Sequence, residues 1–114
     1  MDFLTCCREM AHEVERTVSP LVGTPAAGRM IRMGADGTPS QRIDLVAEEC
    51  ILAYLQEKPL CRTLISEEAG RVDIGGDSGT IFLDPIDGTY NAVTGIPFFA
   101  VSLAYAEKGA VQEA

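Results

Sequence analysis

The sequence predicts an α/β fold on two observations. Two stretches carry apolar residues at helical spacing, and two short β-prone runs each end directly in carboxylates. Residues 2–18 place Phe3, Cys6 or Cys7, Met10, Val14 and Val18 at intervals of three and four, with Arg8, Glu9, Glu13, Glu15 and Arg16 between them. This amphipathic helix ends near Pro20. Residues 23–37 contain Pro25 and glycines at 23, 28, 34 and 37, so extended or looped chain is expected, with residues 30–33 as a short strand and a mobile loop at 34–37. A second helix is predicted from Pro39, with Ile43, Val46, Ala47, Cys50, Ile51 and Tyr54 on one side and Pro59 beyond its end. Asp44 lies in its first turns.

Residues 62–66 form a β-prone run that delivers Glu67 and Glu68, and residues 80–83 form another that delivers Asp84. Residues 85–94 are rich in turn formers and can open a short helix at Gly88 and Thr89. Residues 98–106 read as a third strand, turning at Lys108 and Gly109 into a fourth that offers the sheet little pairing. An ending at that hairpin leads us to expect residues 1–114 to be part of a larger domain.

Composition narrows the class. Across 114 residues, 46% are apolar and 23% charged, values of a chain that folds around one core. No stretch approaches the roughly 20 apolar residues of a membrane span, and the first residues lack a secretory pattern, so no membrane contact and a cytoplasmic location are expected. The formal charge of −8, from 17 acidic and 9 basic side chains, argues against a nucleic-acid partner, because phosphate backbones are gripped by clustered Lys and Arg. Cys6, Cys7, Cys50 and Cys61 form no C-x-x-C pair, so buried or partly buried thiols are expected. The single histidine, His12, falls in the first helix, where a surface or core role is expected.

The chemistry concentrates in residues 84–89, Asp-Pro-Ile-Asp-Gly-Thr, directly after an apolar strand. Asp84 and Asp87, three positions apart across a proline-fixed turn, can converge on one point that the Ile86 carbonyl also faces. Such all-oxygen donors suit a hard cation. Gly88 lets the backbone approach a ligand, and the N–H groups of a helix starting there point at an anion. Bare carboxylates would repel a phosphate by about 1–4 kcal/mol each, depending on screening. Divalent cations reverse that sign. Competing readings exist for each residue: the two aspartates can be an acidic turn, Asp44 a carboxylate complementing a helix dipole, Asp36 a turn former beside Gly37, and Glu68 a solvated neighbour.

These motifs resemble the inositol monophosphatase and fructose-1,6-bisphosphatase superfamily of metal-dependent phosphatases. Ser66-Glu67-Glu68 is similar to its acidic pair after a strand, residues 84–89 to its signature, Asn91 to the asparagine that follows, and Asp44 to the aspartate paired with the signature threonine. Ala92 stands where the family usually has an aromatic residue, and Ser66 where it usually has glycine. Both departures, with the 34–39 loop, resemble the archaeal type that hydrolyses fructose 1,6-bisphosphate and inositol 1-phosphate.

The resemblance implies a layered helix and sheet sugar-phosphatase fold, of which this chain would be the N-terminal portion. It implies two or three Mg²⁺ ions, with Mn²⁺ able to substitute, and a small phosphorylated sugar or polyol as substrate. Glu67, Asp84, Asp87 and the Ile86 carbonyl would be metal ligands, and Asp36 would serve a third ion. Thr89, hydrogen-bonded to Asp44, would act with Glu67 to orient and activate the attacking water. Asp87 and the Gly88 and Thr89 amides would receive phosphate. Family members form dimers or tetramers and run to about twice this length, their later half supplying another metal-binding aspartate and most sugar contacts. Little turnover is therefore expected of residues 1–114 alone. Two alternatives stay open: a nucleotide substrate such as 3′-phosphoadenosine 5′-phosphate, and a non-catalytic acidic metal-binding module. An EF-hand spacing, a P-loop, a G-x-S-x-G elbow and an H-E-x-x-H pair are absent.

Overall fold

The computed structural model describes residues 2–114. The first helix, α1, spans Phe3–Val18, and its N-terminus is capped by Asp2, whose carboxylate accepts the Thr5 N–H at 3.2 Å. Cys6, Met10, Val14 and Val18 form its buried stripe, so of the two adjacent thiols Cys6 faces the core. A 3₁₀ turn at Pro25–Gly28 leads into a hairpin of β1 (Met30–Met33) and β2 (Pro39–Gln41).

The second helix, α2, begins three residues later than the sequence suggested and spans Arg42–Glu57. Pro39–Gln41 is extended because it pairs with β1, and Asp44 accepts the Gln41 N–H at 3.2 Å, which fixes the helix start. Its fully buried stripe is Ile43, Ala47, Ile51 and Leu55. Val46, Cys50 and Tyr54 lie on the flank, half-buried, where Tyr54 donates to Glu9 of α1 and Thr17 and Cys50 approach to 3.8 Å.

A five-stranded sheet follows, in the order β4-β3-β5-β6-β7. Its strands are β3 (Thr63–Ser66), β4 (Gly70–Asp73), β5 (Thr80–Asp87), β6 (Ala100–Glu107) and β7 (Ala110–Glu113), with a short helix α3 (Thr89–Thr94) between β5 and β6. β3 and β5 are parallel and the remaining pairs antiparallel. The sequence reading missed β4, whose Gly70-Arg-Val-Asp run follows a turn too tightly to stand out. It also ended β5 at Leu83, because proline inside a strand signals a break. As expected, the chain turns at Lys108 and Gly109 into β7, a short exposed edge strand that pairs with β6 from Tyr105↔Glu113 to Glu107↔Ala110.

Alternation along the strands divides the sheet into two faces. Leu64, Ile81, Leu83 and Leu103 are buried with α1 and α2, each contributing about 1.5–3 kcal/mol by leaving water. Ile65 and Phe82, side by side in the register, point the other way and stay 36% and 44% exposed. All four cysteines are free thiols, Cys6 and Cys61 buried and the others half-buried. Among the described residues no helix is long and apolar enough to cross a membrane.

Candidate active site

Parallel pairing of β3 with β5 sets the carboxyl ends of the two strands beside each other. Ser66 pairs with Leu83, the Glu67 N–H donates to the Leu83 carbonyl at 3.3 Å, and the side chains of Glu67 and Asp84 emerge next to each other. The two carboxyl groups are close enough to share a hydrogen bond when one is protonated. Burial, then the charges of Glu67, Asp87 and Asp44, push the Asp84 carboxyl up to about 6. Glu67 is raised too, by burial first and then by Asp36, Glu68 and Asp87.

A regular strand would send Asp84 and Asp87 to opposite faces, since they are an odd number of residues apart. β5 escapes that rule through a bulge. Asp84 pairs with Ser102 and Asp87 with Ala100, so three steps on β5 match two on β6. Pro85, which has no N–H to leave unpaired, sits within the bulge. Gly88 then takes a left-handed φ of 94°, and a Cβ there would lie 3.0 Å from the Phe98 carbonyl. Only glycine turns the chain here without strain. Asn91 braces the same turn by donating to the Phe98 carbonyl at 2.8 Å.

Thr89 opens α3, and its hydroxyl lies 2.8 Å from Asp44 Oδ1 and 3.1 Å from the Ile86 carbonyl. Asp44 is 5% exposed, and its other oxygen accepts the Gln41 N–H. Asp44 thus sits in the first turn of α2, bonded to the residue before the helix, and also receives the Thr89 hydroxyl. Burial raises its carboxyl, while the hydrogen bonds from Thr89 and Gln41 pull the other way.

Asp36 sits in the β1–β2 turn, where its carboxylate accepts the Thr38 N–H at 3.0 Å and the Thr38 hydroxyl at 2.7 Å; these bonds lower its pKa. It is a turn former, as one reading held. The turn nonetheless lies against the acidic strand end, since the Ala35 and Asp36 N–H groups donate to the Glu68 and Glu67 carbonyls at 3.0 and 3.2 Å. A cleft of about 500 Å³ on the open face of the sheet is lined by Asp36, Glu67, Phe82, Asp84 and Ser102, among others. Glu68 turns away to Ser40, and His12 is exposed on α1.

Among the described residues no group of three or more His, Cys, Asp or Glu side chains converges tightly enough to cage an ion. The donors nonetheless fit a hard divalent cation. They are all oxygen, two carboxyls already adjoin, and Mg²⁺ takes only one or two carboxylates beside water and substrate phosphate. Burial first, then the neighbouring carboxylates, raise Glu67 and Asp84, and a cation between them would offset both effects. Sequence reasoning did not single out Glu48, Arg32 or Ser40, which surround the acidic strand end. Glu48 is four residues after Asp44 on a helix, so a search for carboxylates sharing that face would have found it.

The chain belongs to the inositol monophosphatase family, whose model matches residues 7–113. A fructose-1,6-bisphosphatase/inositol-1-monophosphatase of Methanothermobacter thermautotrophicus is 52% identical over 103 residues, covering 87% of this chain and 37% of the relative. A bifunctional NADP phosphatase/NAD kinase of Methanococcus maripaludis is 42% identical over 106 residues, covering 91% of this chain and 19% of that protein. The crystal structure of an inositol monophosphatase-fructose 1,6 bisphosphatase superposes with a TM-score of 0.85 at 29% identity, over 97% of this chain and 43% of the other. This chain thus spans less than half the length of the relatives it matches, and the part it spans has their mixed α/β fold.

Proposed function

We propose that the full-length protein is a Mg²⁺-dependent phosphate monoester hydrolase acting on fructose 1,6-bisphosphate and inositol 1-phosphate. The observation that carries this reading is the hydroxyl of Thr89, bonded to buried Asp44 on the turn that follows Asp84 and Asp87.

Glu67, Asp84, Asp87 and the Ile86 carbonyl would hold the cations, with Asp36 serving a weaker third. Two or three Mg²⁺ ions, or Mn²⁺ in their place, would lower the pKa of water and neutralise charge on the phosphoryl group. Thr89 donates its proton to Asp44 and keeps its oxygen lone pairs free, so it can accept a hydrogen bond from a water and aim that water at phosphorus. Asp44 holds the hydroxyl in that orientation through a charged acceptor. Glu67, beside the cation site, would act with Thr89 to orient and activate that water. Asp87 and the Gly88 and Thr89 amides would bind the phosphate; the water would attack phosphorus directly as the bond to the sugar or polyol oxygen breaks, and that oxygen would take a proton from solvent water. The reading includes a cytoplasmic protein assembled as a dimer or tetramer.

The NADP phosphatase among the relatives favours a second reading, a nucleotide phosphate as substrate. Phosphate release from fructose 1,6-bisphosphate, inositol 1-phosphate, NADP and 3′-phosphoadenosine 5′-phosphate, each with Mg²⁺ and with EDTA, separates the two by their kcat/KM values. Residues 1–114 assayed alone should release little. Turnover by the full-length protein that survives EDTA would sink both readings.

A further inference from the structure

Glu48 is a carboxylate that the phosphatase reading leaves without a task. It sits on α2 one turn after Asp44 and is only 3% exposed. A charge buried that far is costly unless it is bonded. Its Oε2 accepts the Ser66 hydroxyl at 2.7 Å and the Ala69 N–H at 3.1 Å, while Arg32 of β1 reaches to 3.9 Å from its other oxygen. Ser66 precedes Glu67 and Ala69 follows Glu68, so one carboxylate grips the acidic pair from both sides.

The grip is reinforced from the hairpin. Ser40 donates to the Glu68 carboxylate, and the Ala35 and Asp36 N–H groups hold the Glu68 and Glu67 carbonyls. The Ser66 hydroxyl, while donating to Glu48, also lies 3.3 Å from the Glu68 N–H as its acceptor. A glycine at position 66 could make neither bond. Each neighbour of Glu67 is therefore tied to α2 or to the hairpin, and the Glu67 side chain is left free on the open side, next to Asp84.

We propose that Glu48 is a positioning residue for the metal site, fixing through Ser66 and Ala69 the strand end that presents Glu67 to the cation. The inference rests on the phosphatase reading of Glu67 and Asp84. Groups that orient metal ligands typically change metal affinity or activity 10–100-fold when removed.

The test uses Glu48→Ala, Glu48→Gln and Ser66→Ala in the full-length protein, with Mn²⁺ affinity read from the free-ion electron paramagnetic resonance signal and unfolding followed without metal. Glu48→Ala should weaken Mn²⁺ binding by about 10–100-fold. Glu48→Gln, whose amide oxygen still accepts from Ser66 and Ala69, should stay within about threefold of wild type, and Ser66→Ala should fall between. If Glu48→Ala does not fold, Ser66→Ala, which removes one hydroxyl, carries the test alone. Weaker folding with unchanged Mn²⁺ affinity would overturn the proposal and leave the phosphatase reading intact, as would a glutamine variant no better than alanine. A wild-type protein that neither binds Mn²⁺ nor releases phosphate would overturn both.

Discussion

Replacing Thr89 by valine removes one hydroxyl and almost no volume. The loss falls on Asp44 Oδ1, which has its donor at 2.8 Å in a site where the residue is 5% exposed. Leaving a buried acceptor unpaired costs about 1–3 kcal/mol, and more when it is charged. The Gln41 N–H on the other oxygen, and the ability of a carboxyl already raised by burial to take up a proton, hold the cost towards the low end of that range. The effect on turnover should be much larger, a loss of about 10²–10⁴-fold in kcat, because the group that aims the water is gone. Thr89→Ser keeps the hydroxyl and should stay within about tenfold of wild type. Urea unfolding and phosphate release at saturating substrate read the two effects separately. Combining Thr89→Val with Asp44→Asn should cost less than the sum of the single changes, since both act through one bond. A Thr89→Val protein that turns over like wild type would refute the role given to this hydroxyl.

Two further outcomes follow from the same geometry. The Asp84 carboxyl, at about 6, lies above its unfolded value of 3.8, so the native state binds this proton more tightly. Its contribution to stability is full below about pH 4 and is lost as pH rises through about 6. Without metal, the stability of wild type relative to Asp84→Asn should therefore fall between about pH 4 and about pH 7, and saturating Mg²⁺ should reverse that slope. A difference between the two proteins that stays flat with pH in metal-free buffer would contradict the effect of burial and neighbouring carboxylates on Asp84. Gly88→Ala should cost about 1–3 kcal/mol by thermal unfolding, because alanine is strained at a φ of 94° and its Cβ meets the Phe98 carbonyl. A variant as stable as wild type would show that this turn tolerates a side chain.

Legibility in the sequence followed the range of the forces involved. The α1 stripe and the carboxylates at the ends of β3 and β5 were readable because helical spacing and strand-end chemistry are local. Asp44 and Thr89 are 45 residues apart, and nothing local joins them; the family resemblance supplied that pair, and the 2.8 Å hydrogen bond now stands in the structure. The bulge was hidden for a different reason. Pro85 reads as a strand breaker, yet strand β5 runs through it to Asp87 because the extra residue absorbs the missing donor. β2 was absorbed into the predicted helix because Pro39 is an acceptable helix start, and only pairing with β1 makes it extended. Glu48 drew no reading from the sequence, because its burial depends on β3 and the hairpin packing over it.

The most direct test of the central claim is phosphate release from fructose 1,6-bisphosphate by the full-length protein as Mg²⁺ is varied, in wild type and in Asp84→Asn. The account predicts activity that rises with Mg²⁺, disappears with EDTA, and in Asp84→Asn falls by at least about 100-fold even at high Mg²⁺. Wild-type activity independent of Mg²⁺, or an Asp84→Asn protein with an unchanged Mg²⁺ dependence, would contradict it.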